Sequence, residues 1–154
     1  MNRQILRNLH KTGAMASLLL IGTFWASSLI SELALSKEAV IAVKNAICYG
    51  LFALIFAMAV TGITGMKMGA KAKHPSIVAK KKRMPLVAAN GLFILLPCAF
   101  YLCHKANLGE FDGLFYAIQA LELLAGGLNF VLLALSVKDG LAIKKKSPLA
   151  GERA

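Results

Sequence analysis

Acidic residues are scarce in this chain: seven Asp and Glu stand against 18 Lys and Arg, a formal net charge of +11. Charge of either sign is thin, at 16% of residues, while 58% are hydrophobic, and that balance excludes an ordinary soluble domain of this size. There are three cysteines, all in or at the end of apolar runs, so neither a framework of paired disulfides nor a zinc-type CxxC spacing is present. Aromatics are few and are not interleaved with the basic residues, which removes the usual nucleic-acid modules despite the positive charge. The three histidines, His10, His74 and His104, do not supply the matched pair on facing helices that a b-type haem usually asks for. The segment CAFYLCH also lacks the CxxCH spacing of covalent haem attachment.

What the chain does have is four long apolar runs separated by polar punctuation, and runs of that length point to membrane spans. They cover roughly Thr12 to Leu35, Val40 to Met66, Pro85 to Cys103 and Leu114 to Val137. The fold class expected is therefore all-α, a single integral membrane four-helix bundle over residues 1–154. A basic n-region precedes the first run and Ala34-Leu35-Ser36 loosely resembles a cleavage site. Its roughly 20 apolar positions exceed a signal h-region of about 7–15, so it reads as a retained span.

Lys and Arg alternate along the chain. Three precede the first span, one lies in the Ser36 turn, seven in the segment 67–84, one in 104–113 and five in the tail 138–154. By the positive-inside rule both termini and the basic central loop 67–84 are cytoplasmic, and this holds for the later spans even if the first were removed. Lys80, Lys81, Lys82 and Arg83, with Lys144, Lys145 and Lys146, are read as anchors to anionic cytoplasmic lipid at ~1 kcal/mol each. Ser36 is placed as the N-cap of the second helix, with Glu38 near its positive end. Pro85 is placed in the first turn of the third helix, where its missing amide costs nothing, and Pro97 is expected to kink that helix.

Glu122 is the leading candidate for an intramembrane site. It lies about nine residues into the fourth span, ~13 Å along a helix rising about 1.5 Å per residue. A charge at that depth costs ~2.5–3.5 kcal/mol on insertion scales unless it faces protein. At about 100° per residue Phe115, Gln119, Glu122, Gly126 and Asn129 share one face, which is expected to point inward. Gly126 and Gly127 suit close helix approach, and Asn90 is expected to pair with Asn129 across helices. Lys44, Asn45, Glu32 and His104 are the ionisable or polar groups of comparable outer depth. Lys44 either reaches in to Glu122 or snorkels outward, and the second is favoured. Cys48 and Cys98 fall near the depth of Glu122 and, with His104, are weak metal candidates, a span cysteine being more often a small buried apolar residue.

On RNLHKTGA, KKRMPLVAANG and GEFDGLFYAIQALELLAGGLN the chain resembles small four-span inner-membrane proteins of Gram-negative bacteria over nearly its whole length. That resemblance implies the membrane fold and no particular activity. A histidine opening the first span also resembles copper-resistance and cytochrome-like membrane families, whose matched histidines are missing here. Nothing in the spans assembles a nucleophile with a base, a phosphate loop or a full ligand set. The expected function is thus a non-enzymatic accessory or scaffold component without a cofactor. Its expected partners are the lipid bilayer and either another membrane protein or a second copy, with no nucleic acid. The alternatives are movement of a proton or cation using Glu122, and a haem- or metal-binding redox module using His10, His104, Cys48 or Cys98.

Overall fold

The computed structural model describes residues 2–69 and 75–145, apart from the side chains at 76 and 142–145. Within them the chain forms five α-helices and no strand: α1 (Arg3–Ala34), α2 (Lys37–Gly69), α3 (Pro75–Asn90), α4 (Leu96–Asn107) and α5 (Gly113–Lys145). A π-helical turn, Gly91–Leu95, joins α3 to α4, so the third long helix is one rod built from both. Four helical stretches are thereby long and apolar enough to cross a membrane: Arg3–Ala34, Lys37–Gly69, Ile77–Asn107 and Gly113–Leu141.

Local chemistry sets the ends. Asn2 caps α1, its side-chain oxygen accepting from the Gln4 amide at 3.1 Å. Only Leu35 and Ser36 separate α1 from α2, and Ser36 Oγ accepts from the Ala39 amide at 3.4 Å, satisfying one of the orphan donors of a helix start. At the end of α4 the chain turns at Gly109, whose φ of +73° suits a residue with no Cβ. Asp112 then caps α5 by accepting from the Phe115 amide at 2.8 Å. Lys105 bonds both Glu110 (2.6 Å) and Asp112 (2.8 Å) across this turn, and its ammonium, helped by the Phe115 amide, holds the Asp112 carboxyl below the usual carboxylate range.

The structure corrects the expectation of a loop over 67–84. Lys67 to Gly69 continue α2, and helix is present again from Pro75, so Lys80, Lys81, Lys82 and Arg83 ride on α3. Hydropathy marks where a helix leaves an apolar layer, not where it ends, and Ala, Lys, Arg and Met are good helix formers. Pro85 lies inside α3 and not in its first turn. The distortion expected from Pro97 takes the form of the π turn just before it. There the Leu96 amide reaches back five residues to the Gly91 carbonyl, a local widening of the kind that accommodates a proline without an N–H.

The four rods pack in a ring, α1 on α2, α2 on α4, the α3–α4 rod on α5, and α5 on α1. Cross-helix contacts fix the antiparallel register: His10 meets Thr61 and Ser28 meets Lys44 between α1 and α2, while Arg83 meets Asp139 and Asn90 meets Asn129 between α3 and α5. The two short turns therefore lie at one end, and the chain's beginning and the end of α5 at the other. At the turn end Val40, Leu102, Ala106 and Phe115 form a buried apolar cluster. Ile47, Leu51 and Ala99 form a second, and Ile21, Val87 and Leu133 a third nearer the other end. Outside this core large apolar side chains point away from the protein, including Tyr49, Phe52, Phe56, Phe93 and Leu124, each at least 70% exposed. A hydrocarbon surround would cover such a surface at no cost.

Candidate functional site

The first polar layer lies directly beneath the apolar cluster of the turn end. Lys44 is 1% exposed, and its Nζ donates to Glu122 Oε2 at 2.6 Å and to Ser28 Oγ at 2.8 Å. Gln119 Nε2 donates to the same Ser28 oxygen at 3.1 Å, and the Ser28 hydroxyl lies 3.4 Å from Glu122 Oε2. Three helices, α1, α2 and α5, are tied at one point. The outward-snorkelling Lys44 favoured on sequence grounds is thus replaced by an inward one. Val40, one turn earlier on α2, belongs to the buried apolar cluster with Phe115, against which Phe111 and Ile41 pack, whereas a carboxylate and a hydroxyl lie within reach of the ammonium. The α5 stripe is turned inward throughout, with Phe115, Gln119, Gly126 and Asn129 buried and Glu122 12% exposed.

Sequence reasoning missed Ser28, the hub of this layer. Its signal was available: Gly13, Ser17, Ser28 and Ser31 recur at helical spacing on α1 and are all buried. Glu32, one turn beyond Ser28, stands within electrostatic reach of both Lys44 and Glu122. Two oxygens in this neighbourhood are buried without a hydrogen-bond partner, Glu32 Oε1 and Gln119 Oε1.

Below the layer is a cavity of about 70 Å³, room for a few water molecules, with Glu122 and Ser28 at one end and Trp25, Phe24, Leu51 and Gly126 among its walls. Trp25 spans it, donating its indole N–H to the Leu123 carbonyl at 2.8 Å. A Cβ built on Gly126 would lie 3.1 Å from that ring, and on Gly127 3.4 Å. The diglycine that reads as a helix-packing face is the seat of an indole. The second polar layer follows, in which Asn90 Nδ2 donates to Asn129 Oδ1 and to the Ala125 carbonyl, each at 2.9 Å, and Asn129 Nδ2 donates to the Val87 carbonyl at 3.3 Å. The expected amide pair is present, at the start of the π turn.

Two further ties lie near the termini end. His10 Nδ1 is 3.1 Å from both the Thr61 carbonyl and Thr64 Oγ1, and Lys80 Nζ is 3.2 Å from His10 Nε2. Arg83 pairs with Asp139 at 2.6 Å, both about a quarter exposed. Lys80 and Arg83 are therefore turned onto protein groups, and Lys81 and Lys82 are exposed. The side chains of Lys144 and Lys145, and all of Lys146 and His74, lie outside the described residues.

The cysteines are not brought together as a metal set with Glu122. Cys48 Sγ lies 3.7 Å from the Ala99 carbonyl, Cys98 is buried, and the thiol beside Cys48 is that of Cys103, which donates to Asn45 Oδ1 at 3.3 Å. His104 is exposed and stands at the opposite end from His10. Among the described residues no three His, Cys, Asp or Glu side chains group in a way that could hold a metal ion.

Chemically, Ser28 and Lys44 stand at the spacing of a nucleophile and its base. An ammonium engaged with a carboxylate has no lone pair to accept a proton, and Ser28 is buried. No family model matches the chain, and no curated protein or solved structure matches it.

Proposed function

We propose that the chain is a multi-pass protein of the bacterial inner membrane, a non-enzymatic four-helix bundle with both termini cytoplasmic. In this reading it serves as an accessory or scaffold component of a membrane assembly. The observation that carries this reading is how the interior polar groups are used. At successive depths they are spent on one another across helices: Lys44 with Glu122 and Ser28, Asn90 with Asn129, Arg83 with Asp139, and His10 with Thr64 and Lys80. Interhelical polar ties fix the register of helices in lipid, where apolar contact alone discriminates poorly. A rigid core with an apolar exterior is what a scaffold needs. The charge alternation supports the orientation, and Lys81 and Lys82, exposed at the termini end, are placed to meet anionic headgroups. Light scattering of the protein in mild detergent is expected to give either a stable oligomer or a complex with a defined companion. A strictly monomeric, companion-free particle overturns the reading.

A second reading, movement of a proton or cation with Glu122 as the titrating group, draws support from the cavity beside Glu122 and the polar layers above and below it. In proteoliposomes it predicts a proton or alkali-cation flux that falls at least tenfold in Glu122→Gln. Absence of flux, or flux unchanged in that variant, removes it. For the haem or metal module, His10 and His104 stand at opposite ends and no three His, Cys, Asp or Glu side chains group among the described residues, so no observation favours it.

A further inference from the structure

We infer that the layer formed by Glu32, Glu122 and Lys44 takes up one additional positive charge, a proton or an alkali cation, bounded by Glu32 and Gln119.

The first argument is a count of charge. Two carboxylates, Glu32 on α1 and Glu122 on α5, face a single ammonium, Lys44 on α2. Lys44 directs its short contacts to Glu122 Oε2 and Ser28 Oγ, which leaves Glu32 with an electrostatic neighbour and no hydrogen bond to its buried Oε1. The remaining titratable groups around the layer are Cys48 on α2 and Cys98 on α4, with Cys103 beside Cys48. Neutral thiols add no charge at neutral pH. The layer as it stands carries one uncompensated negative charge, on a half-buried carboxylate whose Oε1 is shut off from solvent, which is unfavourable.

The second argument is independent of charge and concerns the kind of atom left unsatisfied. Gln119 is 4% exposed, and its amide is anchored in the layer by the Nε2 bond to Ser28 Oγ. Its carbonyl oxygen, on the same amide, is buried and has no partner. Both unpartnered atoms, Glu32 Oε1 and Gln119 Oε1, are acceptors. What completes the layer is therefore a donor or a cation. A water molecule would supply hydrogen bonds and leave the charge; a proton on Glu32 or an alkali ion among the oxygens supplies both. Hard monovalent cations take carboxylate and amide oxygens as ligands. The site does not depend on transport: uptake without flux leaves it in place and removes only the translocation reading.

The test uses the full chain in detergent, with tetramethylammonium as the only buffer cation. Infrared difference spectroscopy at neutral pH is expected to show about one protonated carboxyl per chain. If sodium or potassium chloride abolishes that band, and equilibrium dialysis finds about one bound ion per chain, the charge is an alkali cation; if the band persists, it is a proton. Glu32→Gln removes the band and the bound ion, while Glu32→Asp keeps whichever is present, with Trp25 fluorescence and circular dichroism reporting the fold. A wild-type protein with neither a protonated carboxyl nor a bound cation overturns the inference, whatever the variants do. A signal unchanged in a folded Glu32→Gln overturns it equally.

Discussion

Replacing Lys44 by methionine is expected to destabilise the folded chain by about 3–5 kcal/mol, the usual cost of stranding one member of a buried ion pair. The geometry makes the loss severe. Lys44 is 1% exposed, its ammonium is the donor nearest Glu122 at 2.6 Å, and the same ammonium supports Ser28, to which Gln119 is bonded. Removing it strands a carboxylate and loosens three helices together. The companion expectation separates stability from geometry: Lys44→Met combined with Glu122→Met recovers most of the loss, because replacing a whole buried pair by apolar groups is often neutral or stabilising. Thermal or denaturant unfolding of the detergent-solubilised protein, followed by circular dichroism, reads both variants. A single variant as stable as wild type would mean that Glu122 finds another partner.

Gly13 is the second position of large expected effect. A Cβ there would lie 2.6 Å from Thr61 Oγ1 and 3.2 Å from the Ala57 carbonyl oxygen. Thr61 cannot easily retreat, since its hydroxyl donates to that same carbonyl at 2.7 Å, and the carbonyl is helix backbone. Gly13→Ala must push α1 from α2, and Gly13→Leu more so, with a loss of about 1–3 kcal/mol from overpacking. Gly62 on the same helix pair is the control. Nothing lies within 4 Å of its added Cβ, so Gly62→Ala is expected to be neutral or to gain up to about 1 kcal/mol through helix propensity. The same unfolding measurements decide it, and equal effects at the two glycines would contradict the close approach of α1 and α2.

The inward stripe of α5 and the Asn90–Asn129 pair were legible because periodicity and depth along a rod follow from residue number alone. The direction of Lys44 was not. A lysine at that depth can reach either way, and its inward direction depends on Glu122 and Ser28, which come from different parts of the chain and meet its ammonium. The partners of Ser28, the seat of Trp25 and the pairing of Arg83 with Asp139 were hidden for the same reason: each depends on how one helix is rotated against another. The helical character of 75–84 was hidden differently, since a hydropathy window averages transfer free energy and carries no information on whether a charged stretch is coiled or helical.

By itself, then, the sequence determined that there are four long apolar segments, which ends of them carry the positive charge, and that Glu122 must be accommodated inside. Those follow from transfer free energies and helical pitch, which are local. Only the tertiary structure decided that Lys44 meets both Glu122 and Ser28, that Glu32 and Gln119 are left with bare acceptor oxygens, and that the diglycine seats an indole. Those depend on the rotation and register of packed helices, which are set by contacts between residues far apart in the chain.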